Sequence, residues 1–188
     1  MAALEELLQT RAICETEYPY VLFHGTPVKF EQVDIDKSRT NTDFGKGFYL
    51  TTIFEQAVEW AGKQRSTKIV TKKLSSYSHT YVLKFALDFE RFKKLTIKIY
   101  EGYTEDWLDK IYECRMYGRK DTEKNDITIG PMADNNIYVI LEQYEAGIIG
   151  KADTLELLKF EKANMQIAFH TDKSLKTIKY IDNACEFY

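Results

Sequence analysis

Apolar and polar positions along this chain follow two rhythms. Leu4, Leu7, Leu8 and Ile13 recur at a loosely helical period, so residues 2–17 read as a helix that Pro19 stops. Residues 20–24 switch to a period of two, with Tyr20, Leu22 and His24 facing one way and Val21 and Phe23 the other. Residues 30–36 read as a turn or irregular strand and 37–42 as a polar loop. Phe48, Tyr49, Leu50 and Thr51 are a strand fed by a glycine-containing loop. Thr52 and Glu55 have capping-box spacing, and Phe54, Ala57, Val58 and Ala61 then share one face of a helix through about Gln64, with Trp60 along its edge.

A charged connection over 63–76 leads to an alternating strand at 77–87, and another strand is expected at 94–99. Thr104 caps a helix whose Trp107, Leu108, Ile111 and Tyr112 face inward, with Arg115 ending that face. Residues 118–125, GRKDTEKN, read as a solvated connection, and 127–129 as a short strand ending at Gly130 and Pro131. Asp134 or Asn135 begins a helix with Ile137, Ile140, Leu141 and Tyr144 on one face and a stop at Gly147. Residues 151–162 are a helix with Leu155 and Leu158 inward. Residues 165–170 alternate, with Met165, Ile167 and Phe169 on the core face and Gln166, Ala168 and His170 opposite. A short helix from Asp172 and a strand at 178–181 finish the chain. With no internal repeat, low-complexity tract or linker, 1–188 reads as a single α+β domain, residues 1–18 forming an N-terminal helical extension.

Composition narrows the class. A chain of 188 residues has room for one domain, and 44% hydrophobic with 29% charged residues is an ordinary soluble balance. No apolar run approaches the roughly 18 residues that cross a bilayer. The start, MAALEELLQTR, is acidic and helical rather than a secretion signal, so a cytoplasmic protein without membrane contact is expected. A net charge of -3 provides no global basic field for nucleic acid. Lys63, Arg65, Lys68, Lys72 and Lys73 cluster locally, as a solvated helix end and loop or, alternatively, a basic groove. Cys14, Cys114 and Cys185 are odd in number and widely spaced, which fits incidental thiols rather than a zinc or disulfide frame. Phosphate-loop, dinucleotide-fold and zinc-protease motifs are absent from the sequence.

Two stretches carry candidate chemistry. LFHGT at 22–26 ends a hydrophobic run on a histidine and a glycine, and TDFGKGFYLTT at 42–52 places two glycines, a lysine and aromatics before a strand. Glycines let backbone approach a ligand closely, which suits the wall of a nucleotide cleft. In this order and spacing the pair resembles the ADP-ribosyltransferase superfamily, in the branch with a histidine on its first strand and a tyrosine on its second. Trp107 and Leu108, DITIGPMADNNIY from Asp126 and MQIAFHT from Met165 are similar to a small bacterial and phage-associated subgroup of unassigned function, so the resemblance spans about residues 20–181.

The resemblance implies two antiparallel sheets forming an NAD cleft, flanked by helices. It implies that His24 bonds the adenosine ribose, that the Gly25 backbone pairs with the nicotinamide amide, and that Tyr49 stacks on the nicotinamide ring. Thr26, Phe44, Gly45 and Gly47 fall in the same two NAD-contacting stretches. Arg39 either reaches the pyrophosphate through its guanidinium or is a solvated loop charge. The family's usual catalytic glutamate is replaced here by Gln166, which orients a hydroxyl but supplies no negative charge and no general base. Glu142, Glu145 and Glu161 are the candidates if a carboxylate is still required, and none matches the motif. Asp134 is either a helix cap or a carboxylate at the GPMADN turn, and Arg115 either an ion-pair partner or a phosphate contact. His170 shares a face with Gln166. The expected activity is metal-free, NAD-dependent mono-ADP-ribosyl transfer to a macromolecular acceptor, protein or nucleic acid, with release of nicotinamide, in a toxin-like setting. The alternatives are a catalytically weak NAD-binding or interaction module and an NAD glycohydrolase.

Overall fold

In the computed structural model, the alternating stretch around His24 forms strand β1 (Val21–Thr26). The structure describes residues 2–8, 19–71, 78–118, 125–133, 136–159, 162 and 164–187. They belong to two compact units, each assembled from separate segments. The first takes Met1–Val33, Tyr49–Lys94 and Lys173–Tyr188, the second Asp34–Phe48 and Leu95–Asp172. Strand β2 (Phe48–Leu50) lies where the chain passes from the second to the first.

In the first unit, helix α1 (Ala2–Leu8) precedes β1, and the remainder of the expected 2–17 helix lies outside the described residues. Strand β3 (Thr80–Leu87) sits between β1 and a long final strand β7 (Ile178–Phe187), antiparallel to both. The last strand runs well past the expected end at Ile181. Asp182 and Asn183 are weak strand formers, but pairing with β3 carries the chain through them. Two register shifts leave Ile181 and Ala184 as extra residues on β7. Both pack with Cys185 against a core of Val21, Phe23, Ala57 and Val82.

Helix α2 (Phe54–Val70) covers this sheet, with Phe54 meeting Phe23 edge to face at 5.4 Å. Its bounds correct the sequence reading at both ends. The expected capping box does not form: the cap position is Ile53, without a side-chain bond, because Thr51 is held by two backbone bonds to Phe23 and accepts the Ile53 N–H on its own hydroxyl. The helix continues six residues past Gln64. Lys63, Arg65 and Lys68 are good helix formers, and the hydroxyls of Ser66, Thr67 and Thr71 bond back to carbonyls of the preceding turn. Of the expected charged connection, only 72–76 lies outside the described residues, as does the first residue of the expected strand at 77–87. Short α3 (Phe89–Phe92) follows β3, capped by Asp88.

The second unit holds a four-stranded sheet in the order β2-β6-β5-β4, with Phe48 the part of β2 belonging to this unit. Strands β5 (Ile127–Gly130) and β6 (Gln166–Phe169) are antiparallel and buried throughout. Strand β4 (Ile97–Ile99) pairs with β5 in parallel, correcting the expectation of purely antiparallel sheets. The cause is the connection: helix α4 (Glu105–Tyr117) intervenes as a crossover, and such a connection returns the chain in the same direction. Thr104 caps α4 as expected, accepting from the Trp107 N–H at 3.3 Å. Gly118, in the left-handed region at φ 57°, closes it.

Trp107, Leu108, Ile111 and Cys114 are the buried face of α4. Helix α5 (Ile137–Glu145) buries Ile137, Ile140 and Leu141. Its cap position is Asn136, without a side-chain bond, while Asp134 and Asn135, the expected starts, lie outside the described residues. Helix α6 (Lys151–Leu157) is shorter than expected, burying Thr154 and the following Leu158. Short α7 (Asp172–Leu175) leads to β7. No helix among the described residues is long and apolar enough to cross a membrane.

Candidate functional site

In the first unit, β1 pairs His24 opposite Leu83 and brings its ring to the second expected residue. Nδ1 of His24 lies 2.8 Å from the Tyr49 carbonyl. Burial lowers its pKa to about 4, despite that hydrogen bond pulling upward, so the ring is neutral at pH 7. A neutral ring must donate to a carbonyl, so Nδ1 carries the hydrogen and Nε2 is an acceptor. Phe30 meets the imidazole edge to face at 5.5 Å. Tyr49 is half-buried.

Gly25 has a packing reason of its own. A Cβ there would lie 1.9 Å from the Ala57 carbonyl oxygen, so only glycine lets α2 settle on β1 at this depth. Its carbonyl accepts from Gln64 Nε2 at 3.1 Å. Thr26 turns its hydroxyl onto the backbone of Val28, 3.2 Å from both N and O.

In the second unit, the loop before β2 turns tightly. Gly45 has a φ of 82°, its N–H bonds to Thr42 O at 3.1 Å, and the Thr42 hydroxyl donates to Gly45 O. Phe44, expected at a cofactor, is a core residue: its ring is fully buried and stacks on Tyr100 at 5.6 Å, with Gly130 leaving room for it. Arg39 is exposed. Gly47 gives way to His170, whose Nδ1 would be 3.0 Å from a Cβ at that position. His170 bonds the Lys46 carbonyl through Nδ1 at 2.7 Å and the Thr128 hydroxyl through Nε2 at 2.9 Å. Burial takes its pKa to about 4, so it is a neutral fastener of the loop.

Gln166, at the start of β6, is buried in a polar cluster centred on a residue that the sequence reading did not single out. Asp43, only 4% exposed, receives four donors. Arg115 Nε and Nη2 reach Oδ1 at 2.8 and 2.5 Å, while Gln166 Nε2 and the Ala133 N–H reach Oδ2 at 2.7 and 3.1 Å. Burial opposes the charge of Arg115, but its carboxylate partner raises its pKa on balance. Arg115 is thus an ion-pair partner, and Nη1 further holds the Asn41 carbonyl at 3.1 Å.

The segment after β5 is bound on several sides. Pro131 O accepts from Trp107 Nε1 at 3.0 Å and from Gln166 Nε2 at 3.3 Å. Asn164 accepts from the Met132 N–H at 2.6 Å and donates to the Tyr103 hydroxyl, which itself donates to Met132 O. The motif residues Asp43, Trp107, Pro131 and Gln166 therefore meet in one network. Of the glutamates considered, Glu142 is exposed, Glu145 is exposed and accepts from the Tyr112 and Tyr117 hydroxyls, and Glu161 lies outside the described residues. The carboxylate bonded to Gln166 is Asp43. The available signal was its place in the DFGKGF motif.

Among the described residues, no group of three or more His, Cys, Asp or Glu is arranged to hold a metal ion. Cys114 and Cys185 are not in a disulfide, and Cys14 lies outside the described residues. No curated protein and no solved structure matches this chain. One family model matches most of its length: the chain belongs to the family described as Protein of unknown function (DUF3990), over residues 20–180.

Proposed function

We propose that this protein is an NAD-dependent mono-ADP-ribosyltransferase acting in the cytoplasm on a macromolecular acceptor. The observation that carries the reading is the hydrogen bond from His24 to the Tyr49 backbone. It joins the two motif residues across 25 positions of sequence, and in this reading His24 meets the adenosine ribose. In this reading Tyr49 stacks on the nicotinamide, and Gly25, Thr26, Gly45 and Gly47 bring backbone close to the dinucleotide. Arg39, an exposed cation, meets the pyrophosphate. Phe44 contributes packing rather than ligand contact.

The bond between nicotinamide nitrogen and ribose C1′ breaks with its electron pair leaving on neutral nicotinamide, and positive charge develops on the sugar. The acceptor's nucleophile then bonds C1′ and releases its proton. Gln166 orients a ribose hydroxyl, and no metal takes part. The bacterial, phage-associated and toxin-like setting belongs to the same proposal through the resemblance alone.

The amide at position 166 favours a second reading, a domain that binds NAD with little turnover. An NAD glycohydrolase differs from the first only in using water as acceptor. Incubation with NAD and a cell lysate separates the three. Nicotinamide release with label transferred to macromolecules supports transfer, and release without transfer supports hydrolysis. Saturable binding with neither supports the binding module, and no binding at all ends the NAD proposal.

A further inference from the structure

Gln166 spends both amide hydrogens on Asp43 Oδ2, at 2.7 Å, and the Pro131 carbonyl, at 3.3 Å. Both neighbours are acceptors, so the carboxamide has a single sensible orientation. Turned over, it would set its oxygen against a carboxylate and a carbonyl. Oε1 is therefore the atom that Gln166 turns away from this pair. Asp43 is itself fixed, because Arg115 holds its other oxygen from two nitrogens and the Ala133 N–H shares Oδ2.

We propose that Asp43 is the positioning residue for Gln166: it locks the carboxamide so that Oε1 is presented as an acceptor, and its charge polarises the amide toward that oxygen. The inference rests on the NAD reading, in which Oε1 takes the hydrogen of a ribose hydroxyl. It sets the site's negative charge one hydrogen bond behind position 166, with Arg115 holding it in place.

The test pairs a measurement without substrate with one using NAD. In ¹⁵N NMR of the wild-type protein, the Gln166 side-chain N–H₂ pair exchanges slowly with water and has two well-separated proton shifts. In Asp43→Asn, or in Asp43→Glu if the first fails to fold, exchange becomes fast. Nicotinamide release from NAD is then followed in Asp43→Asn, Gln166→Met and the double variant, at a temperature where all are folded.

Asp43→Asn lowers kcat by at least about tenfold, and up to about a hundredfold, with KM for NAD within about threefold. In the Gln166→Met background the same substitution changes kcat by less than about twofold, because its effect runs through the amide. Losses that multiply in the double variant, or fast Gln166 exchange in the wild type, overturn the positioning role. Slow, Asp43-dependent exchange in a protein that ignores NAD leaves the positioning in place and sinks the NAD reading instead.

Discussion

Arg115 offers two nitrogens to one oxygen of Asp43, Nε at 2.8 Å and Nη2 at 2.5 Å from Oδ1. That grip leaves Oδ2 for Ala133 and Gln166, so the pair is a joint between the loop before β2, α4, the segment after β5 and β6. Asp43 is 4% exposed, and the Arg115 side chain 18%. Arg115→Met strands the carboxylate and is expected to cost about 3–5 kcal/mol. Arg115→Lys restores charge without the fork and recovers only part of that. Urea unfolding midpoints at unchanged slope measure both, and a loss below about 1 kcal/mol in Arg115→Met would show that the joint carries little.

Two glycines give opposite outcomes on substitution by alanine. At Gly25 a Cβ would lie 1.9 Å from a backbone oxygen of α2, which cannot swing aside like a side chain. Gly25→Ala is expected to cost at least about 3 kcal/mol, the upper end of overpacking effects. Gly62, inside α2, has nothing within 4 Å of its would-be Cβ. Gly62→Ala is expected to stabilise by about 0.5–1 kcal/mol through helix propensity. Thermal melts of the two variants must move in opposite directions.

Stability should fall on acidification because two rings are buried neutral. Burial is the main cause for both His24 and His170, whose pKa values sit at about 4. In the unfolded chain both return to about 6.5. Between those values the unfolded chain binds protons that the folded one does not. Their contribution is therefore complete above about pH 6.5 and is lost as pH falls toward 4, on the order of 3 kcal/mol per histidine in full. Urea midpoints at about pH 7.5 and about pH 5 check this, and His170→Gln should flatten the slope between them. A midpoint unchanged over that interval contradicts the assignment.

Tyr49 and Gln166 should separate binding from turnover. Tyr49→Phe keeps the ring and leaves NAD affinity within about threefold. Tyr49→Ala removes an offset stack worth about 0.5–1.5 kcal/mol, roughly two- to tenfold in Kd. Gln166→Ala lowers kcat more than it raises KM for NAD. Calorimetric titration with NAD and a nicotinamide-release assay read the two effects. Equal turnover in wild type and Gln166→Ala removes Gln166 from the reaction.

Elements with a strong local period were legible from sequence. The α4 cap at Thr104, its buried Trp107, Leu108 and Ile111, and the β1 alternation all come from interactions within a few residues. Ends set by distant partners were not. Thr51 is pulled into a bridge with Phe23, which delays the start of α2, and β3 extends β7 through Asp182 and Asn183. The candidate residues divide in the same way. His24, Tyr49 and Gln166 were named from motifs, but the same motif also contained Phe44, whose ring is core, and Asp43, whose partners lie far along the chain.

Residue order alone determined an α+β chain with most of its helices and strands, because side-chain periodicity and capping act over one or two turns. It also marked the stretches in which polar chemistry gathers. Tertiary structure alone decided that β4 runs parallel to β5, that Gly25 makes room for the Ala57 carbonyl, and that Asp43 meets Gln166 across 123 positions. A buried carboxylate takes whichever donors the packed backbone delivers, and no local pattern of residue types records which those will be.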